Sequence, residues 1–301
     1  MNERWRIAFA YFLVCSIWGS TWLFIKIGLE TVTPILSAGL RFFVASAVLY
    51  PLIKFRGVTI PRTREAQKIY WLISLTAFSV PYGLVYWGEQ FIPSGLASVL
   101  FTVYPFAVAL FSQLFLPSEK MTPWKTAGII VGFLGIVVIF SNDLYTSDSG
   151  ALLGMGAVIL SAVLQAYSVI LIKKFGRTLD PMVTTFVPIL YGAFVLFAAS
   201  IFFENYAQVH FTAGTVLSIF YLGIFGTVIT FVSYFWLLKR VEAVILSLTS
   251  FITPVIAVVL GVIVLSEELS SRILAGATIV LAGILLANGN ETKKWITEIL
   301  D

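Results

Sequence analysis

A chain of 301 residues that is 59% hydrophobic and only 11% charged, with a mean hydropathy of +0.98, is too apolar for an ordinary soluble domain. Its net charge of +4 is small and confined to connecting segments, which argues against a nucleic-acid surface. A single cysteine, Cys15, excludes an internal disulfide and a cysteine metal site.

About 20 apolar residues cross about 30 Å of hydrocarbon as a helix, and ten stretches of this chain qualify. The first five run Ile7–Ile27, Pro34–Ile53, Ile69–Trp87, Gly95–Leu116 and Trp124–Phe140. The second five run Leu152–Ile172, Met182–Phe202, Val216–Leu238, Ala243–Leu265 and Ile273–Ala287. Continuous apolar runs are helical; a barrel would alternate over ten-residue segments. The first stretch lacks a small-residue cleavage site and is read as a retained helix, not a signal peptide. Trp5, Trp71, Trp124 and Trp295 near span ends suit interfacial anchors.

Basic residues fix the expected orientation. With ten spans both termini share a side, and that side carries sixteen Lys and Arg residues, among them Arg4, Arg56, Lys68, Lys173 and Arg240, against Lys26 and Arg272 opposite. By the positive-inside rule both termini are cytoplasmic, in the cell (inner or plasma) membrane.

The chain also repeats itself. Glu119, Met121, Thr122, Gly128 and Gly135 recur at the same spacing as Glu267, Leu269, Ser270, Gly276 and Gly283, each copy closing a set of five segments. Five is odd, so the halves, 1–145 and 146–301, cross the membrane in opposite senses. The expected fold is an all-α integral membrane protein of ten transmembrane helices in two inverted five-helix repeats.

Residues of both halves carry a family resemblance. Trp18, Gly19, Ser20 and Lys26, then Pro34, Arg41 and Phe42, then Tyr86, Gly95, Ala97, Ser98, Pro105, Glu119, Thr122 and Gly128, with the second copy at Tyr234, Ala243, Pro254, Glu267, Ser270 and Gly276, resemble an EamA-type protein of the drug/metabolite transporter superfamily. The resemblance implies two inverted five-helix repeats around a central cavity and movement of a small metabolite, usually outward. The halves depart from each other where Gln165, Ala166 and Tyr167 stand for Ile17, Trp18 and Gly19, and where Pro188 stands near the place of Arg41.

Helical spacing puts polar residues on shared faces. Ser79, Tyr82, Tyr86 and Glu89 form a stripe on the third helix; Thr227, Thr230 and Tyr234, the counterpart of Tyr86, form one on the eighth. Ser161, Gln165 and Ser168 lie on the sixth, Ser247, Ser250 and Pro254 on the ninth, and Ser98, Thr102 and Pro105 on the fourth beside Tyr104. If these faces converge, Tyr82, Tyr86, Tyr104, Gln165, Ser168, Thr230, Tyr234 and Ser247 bind solute in one aqueous cleft. The competing reading of each single Ser or Thr is interhelical glue, worth about 0.6 kcal/mol per bond. Pro105 and Pro254, at matching places, are candidate gate hinges because each removes a backbone donor. Arg41 is a charge within a span and costs at least about 2.5 kcal/mol to insert. It pairs with Glu89, binds a substrate carboxylate, or holds the second helix in the bundle. Gly128 and Gly132 are a small-xxx-small pair that joins two helices of one protomer or, alternatively, two protomers of a homodimer.

No HExxH, nucleophile elbow or Walker loop is present, so an enzyme is not expected, and neither is a metal or cofactor. The leading expectation is a secondary transporter that exports small organic metabolites, amino acids or similar amphipathic solutes, by alternating access. Multidrug or toxicant efflux, or facilitative uptake, is the alternative, ahead of a membrane-embedded enzyme or a passive channel. Proton coupling is open, with Glu89 the carboxylate placed to carry it. The partners are a small solute and the lipid bilayer, with no nucleic acid.

Overall fold

The structure, a computed structural model, describes residues 3–116, 122–140, 149–176, 179–247, 249–265 and parts of 271–286. Among the described residues every regular element is a helix. The first half holds α1 (Glu3–Leu29), α2 (Pro34–Phe55), α3 (Arg64–Gly88), α4 (Ser94–Phe115) and α5 (Pro123–Phe140). The second holds α6 (Ser149–Phe175), α7 (Pro181–Phe203), α8 (Ala213–Leu238) and α9 (Thr249–Leu265), the last preceded by a short helix at Ala243–Ser247. Eight of them are long and apolar enough to cross a bilayer; α5 is apolar over 18 residues. Most of the tenth expected span, Trp295, and the paired Glu119 and Glu267 lie outside the described residues.

The halves pack as an exchanged pair. Helix α2 lies along α7 at the centre; α1 packs on α8 and α9 as α6 packs on α3 and α4. The ends show the inversion. Lys26, near the end of α1, donates to the carbonyls of Glu89 (2.6 Å) and Ile92 (3.2 Å) in the α3–α4 turn. Lys173, near the end of α6, donates to the carbonyl of Val241 in the α8–α9 turn. That second turn stands at the end where the chain begins, because Arg240 pairs with Glu3 at 3.3 Å. Lys26 therefore tethers a turn instead of snorkelling to the interface.

Each third helix contains a six-residue π-helix, Ser74–Ser79 in α3 and Ile224–Ile229 in α8, opening 150 residues apart. Such wide turns sit most often at functional sites. In α3, Pro81 cannot donate to the preceding turn, and the Ser79 hydroxyl closes the loop onto the Ser74 carbonyl at 3.0 Å. In α8, Thr227 donates back five residues to the Leu222 carbonyl at 2.8 Å. This register pairs Tyr86 with Trp236, so Tyr234 is not its positional counterpart as the sequence suggests.

Glu204, just past α7, caps α2: it accepts from the amides of Ile35 (2.6 Å) and Leu36 (2.9 Å) and from the Thr33 hydroxyl (2.9 Å). A carboxylate there satisfies orphan donors at the positive end of the helix. On α5, a Cβ on Gly283 would stand 2.5 Å from the Gly132 amide nitrogen and 2.6 Å from the Gly128 carbonyl oxygen. The small-residue face is thus closed by backbone contact inside one chain. Outward-facing Phe9, Phe12, Phe194, Phe202 and Phe203 are exposed, as hydrocarbon-facing side chains should be; Trp5, Trp71 and Trp124 are exposed near helix ends.

Candidate functional site

A cavity of about 80 Å³ lies between the halves. Helices α1, α3, α4, α6, α8 and α9 all contribute to its wall, and α2 contributes Arg41. The volume holds a few waters and falls well below the about 300–1,000 Å³ of a site for a drug-sized ligand.

Eight aromatic residues line the wall. Trp18 lies 5.0 Å from Tyr234 and 5.2 Å from Phe231 between ring centroids, and Trp22 lies 5.7 Å from Phe101. The hydroxyls of Tyr104 and Tyr234 meet at 2.7 Å, joining α4 to α8 across the space. Gln165 donates to the Ser161 hydroxyl at 3.2 Å, which fixes its amide one turn along α6. Two polar atoms of wall residues, Trp18 Nε1 and Ser168 Oγ, are buried with no hydrogen-bond partner among the described residues.

Arg41 is 1% exposed and its environment explains how a charge survives there. Its Nε donates to Thr227 Oγ1 at 2.8 Å and its Nη2 to the Gly226 carbonyl at 2.8 Å, both inside the π-helix of α8. The wide turn thus offers oxygen atoms to the guanidinium. Nη1 reaches the Tyr86 hydroxyl at 3.4 Å, and the group stacks over the Tyr82 ring at 4.8 Å, a cation–π contact. Gly226 is required at this approach: a Cβ would stand 2.9 Å from Thr21 Cγ2 and 3.2 Å from Arg41 Nη2. Glu89 is fully buried, and the described hydrogen bonds of the guanidinium go to Thr227, Gly226 and Tyr86.

Tyr82, Tyr104, Gln165, Ser168, Tyr234 and Arg41 meet on this wall. Tyr86 sits behind it, holding Arg41; Thr230 is buried with its hydroxyl on the Phe225 carbonyl at 3.2 Å, and Ser247 is buried outside the wall. A helical stripe is broad, and these three lie on its flank. Pro105 and Pro254 are not wall residues either. Before Pro105, α4 tightens into a 3-10 turn at Phe101–Val103, where the Tyr104 amide donates to the Phe101 carbonyl that proline cannot serve. Around Pro254, α9 stays α-helical, so the two prolines differ locally. Trp18, Trp22, Phe101 and Phe231 also line the wall; sequence reasoning misses them as solute contacts, because an aromatic residue in an apolar helix gives no period of its own. Gly226 likewise stands out only once Arg41 is seen to approach it. Among the described residues no three His, Cys, Asp or Glu side chains gather as a metal site.

Comparison with known proteins fits this arrangement. The model of the EamA-like transporter family matches twice, over residues 5–141 and 152–289. Uncharacterized transporter YoaV of Bacillus subtilis is 30% identical over 273 residues, 91% of this chain and 93% of its own. Protein PagO of Salmonella typhimurium is 30% identical over 252 residues, 84% and 83% of the two chains. Uncharacterized inner membrane transporter YedA of Escherichia coli K12 is 29% identical over 283 residues, 93% and 90%. A protein crystal structure shares the fold with a TM-score of 0.75 at 22% identity, over 93% of this chain and 96% of its own. The doubled family match, on a chain with eight described helices long and apolar enough to cross a bilayer, makes this a multi-pass membrane transporter that belongs to the EamA-like transporter family.

Proposed function

We propose that the protein is a secondary transporter of the cell membrane that exports small organic metabolites, amino acids or similar amphipathic solutes, by alternating access. Its termini are cytoplasmic, and halves 1–145 and 146–301 move against each other. The observation that carries the substrate class is Arg41. A guanidinium offers five N–H donors, and three serve the described bonds, that to Tyr86 being long at 3.4 Å. Together with Trp18 Nε1 and Ser168 Oγ the wall presents donors in an aromatic chamber. A solute with a carboxylate and an apolar body answers both features. The carboxylate takes the remaining Arg41 donors, and Tyr82, Tyr104, Tyr234, Gln165 and Trp18 surround the body.

The small volume of the cavity, about 80 Å³, supports a reading in which the halves part for solute entry, with the π-turns of α3 and α8 as the places where the helices yield. Glu89, buried near Arg41, is the carboxylate through which a proton gradient would act.

The test is exchange of labelled amino acids in proteoliposomes, with and without a pH gradient. Saturable exchange of carboxylate-bearing solutes, rejection of their amides, at least a tenfold loss with Arg41→Gln and retention with Ser98→Ala are expected; Ser98 bonds only its own helix, to the Gly95 carbonyl at 2.6 Å. Equal transport of acids and amides would overturn the assignment.

A further inference from the structure

At the end of the bundle where the chain begins, the central cavity adjoins a second recess of about 570 Å³. The two share Ile172 and Phe235 in their walls. The chemistry changes across that boundary: the inner space is aromatic, while the recess is lined by Lys173 and Lys174 at the end of α6 and by Lys239 and Arg240 just past α8. The acid in its wall, Glu242, is held by Lys125 at 2.5 Å.

Positive-inside topology accounts for basic residues at this face. It does not account for their convergence on a recess that abuts the cavity. Lys239 donates to the Leu179 carbonyl at 2.5 Å, a neutral acceptor that positions the ammonium and leaves two of its three donors. Lys174 lies over the rings of Phe115 and Phe175 at 5.8 and 5.4 Å, and it has no ion pair among the described residues. Arg240 stacks on Trp236 at 4.0 Å and meets Glu3 at 3.3 Å, the acid being 67% exposed on its side chain. Burial holds Lys239 below the usual lysine range, Asp180 pulling against it and Arg240 adding to it. Cations gathered in a cleft with apolar walls focus a positive potential.

We infer that this recess is an anion site, which takes a carboxylate or phosphate group, of a solute or of a lipid headgroup, at the mouth of the central cavity. Lys174 and Lys239 are its principal ligands. The site stands apart from the Arg41 chamber, and its occupancy is read without transport, so neither reading falls with the other.

The experiment uses the full chain in phosphatidylcholine nanodiscs, with reductive methylation of lysines followed by mass spectrometry. Inorganic phosphate, replacing chloride at constant ionic strength, is expected to slow modification of Lys174 and Lys239 at least threefold and to leave exposed Lys68 unchanged. Phosphate should also raise the Tm, and the Lys174→Gln, Lys239→Gln pair should abolish that rise. Protection in discs containing phosphatidylglycerol without phosphate identifies the headgroup as the source; protection by phosphate in phosphatidylcholine identifies a free solute anion. If Lys68 responds as much as Lys174 and Lys239, or if no lysine responds in either lipid, the site does not exist.

Discussion

Replacing Thr227 by valine removes one oxygen atom and keeps the side-chain shape, so it isolates what the π-helix of α8 does for Arg41. The hydroxyl makes two bonds, donating to the Leu222 carbonyl at 2.8 Å and accepting from Arg41 Nε at 2.8 Å. The first is an ordinary membrane hydrogen bond worth about 0.6 kcal/mol. The second involves a charge, worth about 1.5–3 kcal/mol net, and its loss leaves a buried N–H. Thr227→Val should therefore cost about 2–3 kcal/mol. Thr230→Val is the control: its hydroxyl bonds only the Phe225 carbonyl, at 3.2 Å, and it should cost about 0.6 kcal/mol. Reversible unfolding in mixed detergent micelles, followed by tryptophan fluorescence, measures both. In an Arg41→Met background the two valine variants should converge, giving a coupling energy of about 1.5–2.5 kcal/mol. Equal costs in the wild-type background, or a coupling within about 0.5 kcal/mol of zero, would show that the wide turn does not carry the arginine.

Glu204→Ala should destabilise the fold by about 1–2 kcal/mol, because one carboxylate serves two α2 amides and the Thr33 hydroxyl; Glu204→Gln should recover part of it in the same unfolding assay. Tyr104→Phe and Tyr234→Phe should each lower solute exchange and stability, and the double variant should cost less than the sum, since each single change leaves the other hydroxyl of the 2.7 Å pair buried and unpartnered; strict additivity would place the two hydroxyls apart. Lys26→Met should loosen the α3–α4 turn and Lys173→Met the α8–α9 turn. In a Cys15→Ala background carrying Thr253→Cys on the cavity wall, impermeant maleimide should then label faster from opposite faces for the two variants, and identical labelling patterns would contradict the tethering.

Much of the fold is legible in the residues because its causes are local. Ten apolar stretches, the basic loops and the doubled Glu-x-x-Thr/Ser–Gly pattern need no tertiary information, and α2 begins at Pro34 and α7 ends within one residue of its expected limit. Arg41 stands out because a charge inside a span must be compensated. What compensates it does not stand out. Thr227 and the Gly226 carbonyl are 186 and 185 residues away, and the carbonyl is available because the backbone widens there. Nothing in Ile224–Ile229 announces a π-helix; in α3 the only local sign is Pro81. The Tyr86–Tyr234 correspondence fails for a related reason: like residue types align by identity, whereas the backbone register is set by the π-turns. Tyr82, Tyr104, Gln165, Ser168 and Tyr234 share a wall because seven helices converge, which spacing along one helix cannot decide for Tyr86, Thr230 or Ser247.

The duplicated backbone device is filled with different chemistry in the two halves. In α3 the wide turn is closed by its own serines, Ser79 onto Ser74, and Gly192 of α7 presses against Ser79 at 3.3 Å from where its Cβ would be. In α8 the equivalent turn receives a charged side chain from α2, and the place matching Arg41 on α7 is near Pro188, which can donate nothing. One half therefore deforms by exchanging neutral local bonds, which water or a neighbouring hydroxyl replaces at little cost. The other must keep a guanidinium partnered throughout. On the proposed alternating-access reading, a solute carboxylate at Arg41 supplies that partner while α8 moves, and the half-cycle that opens past α8 should then depend on bound anion far more than the half-cycle that opens past α3. On that same reading the asymmetry between the two half-cycles resides in Arg41 and its two π-helix oxygens.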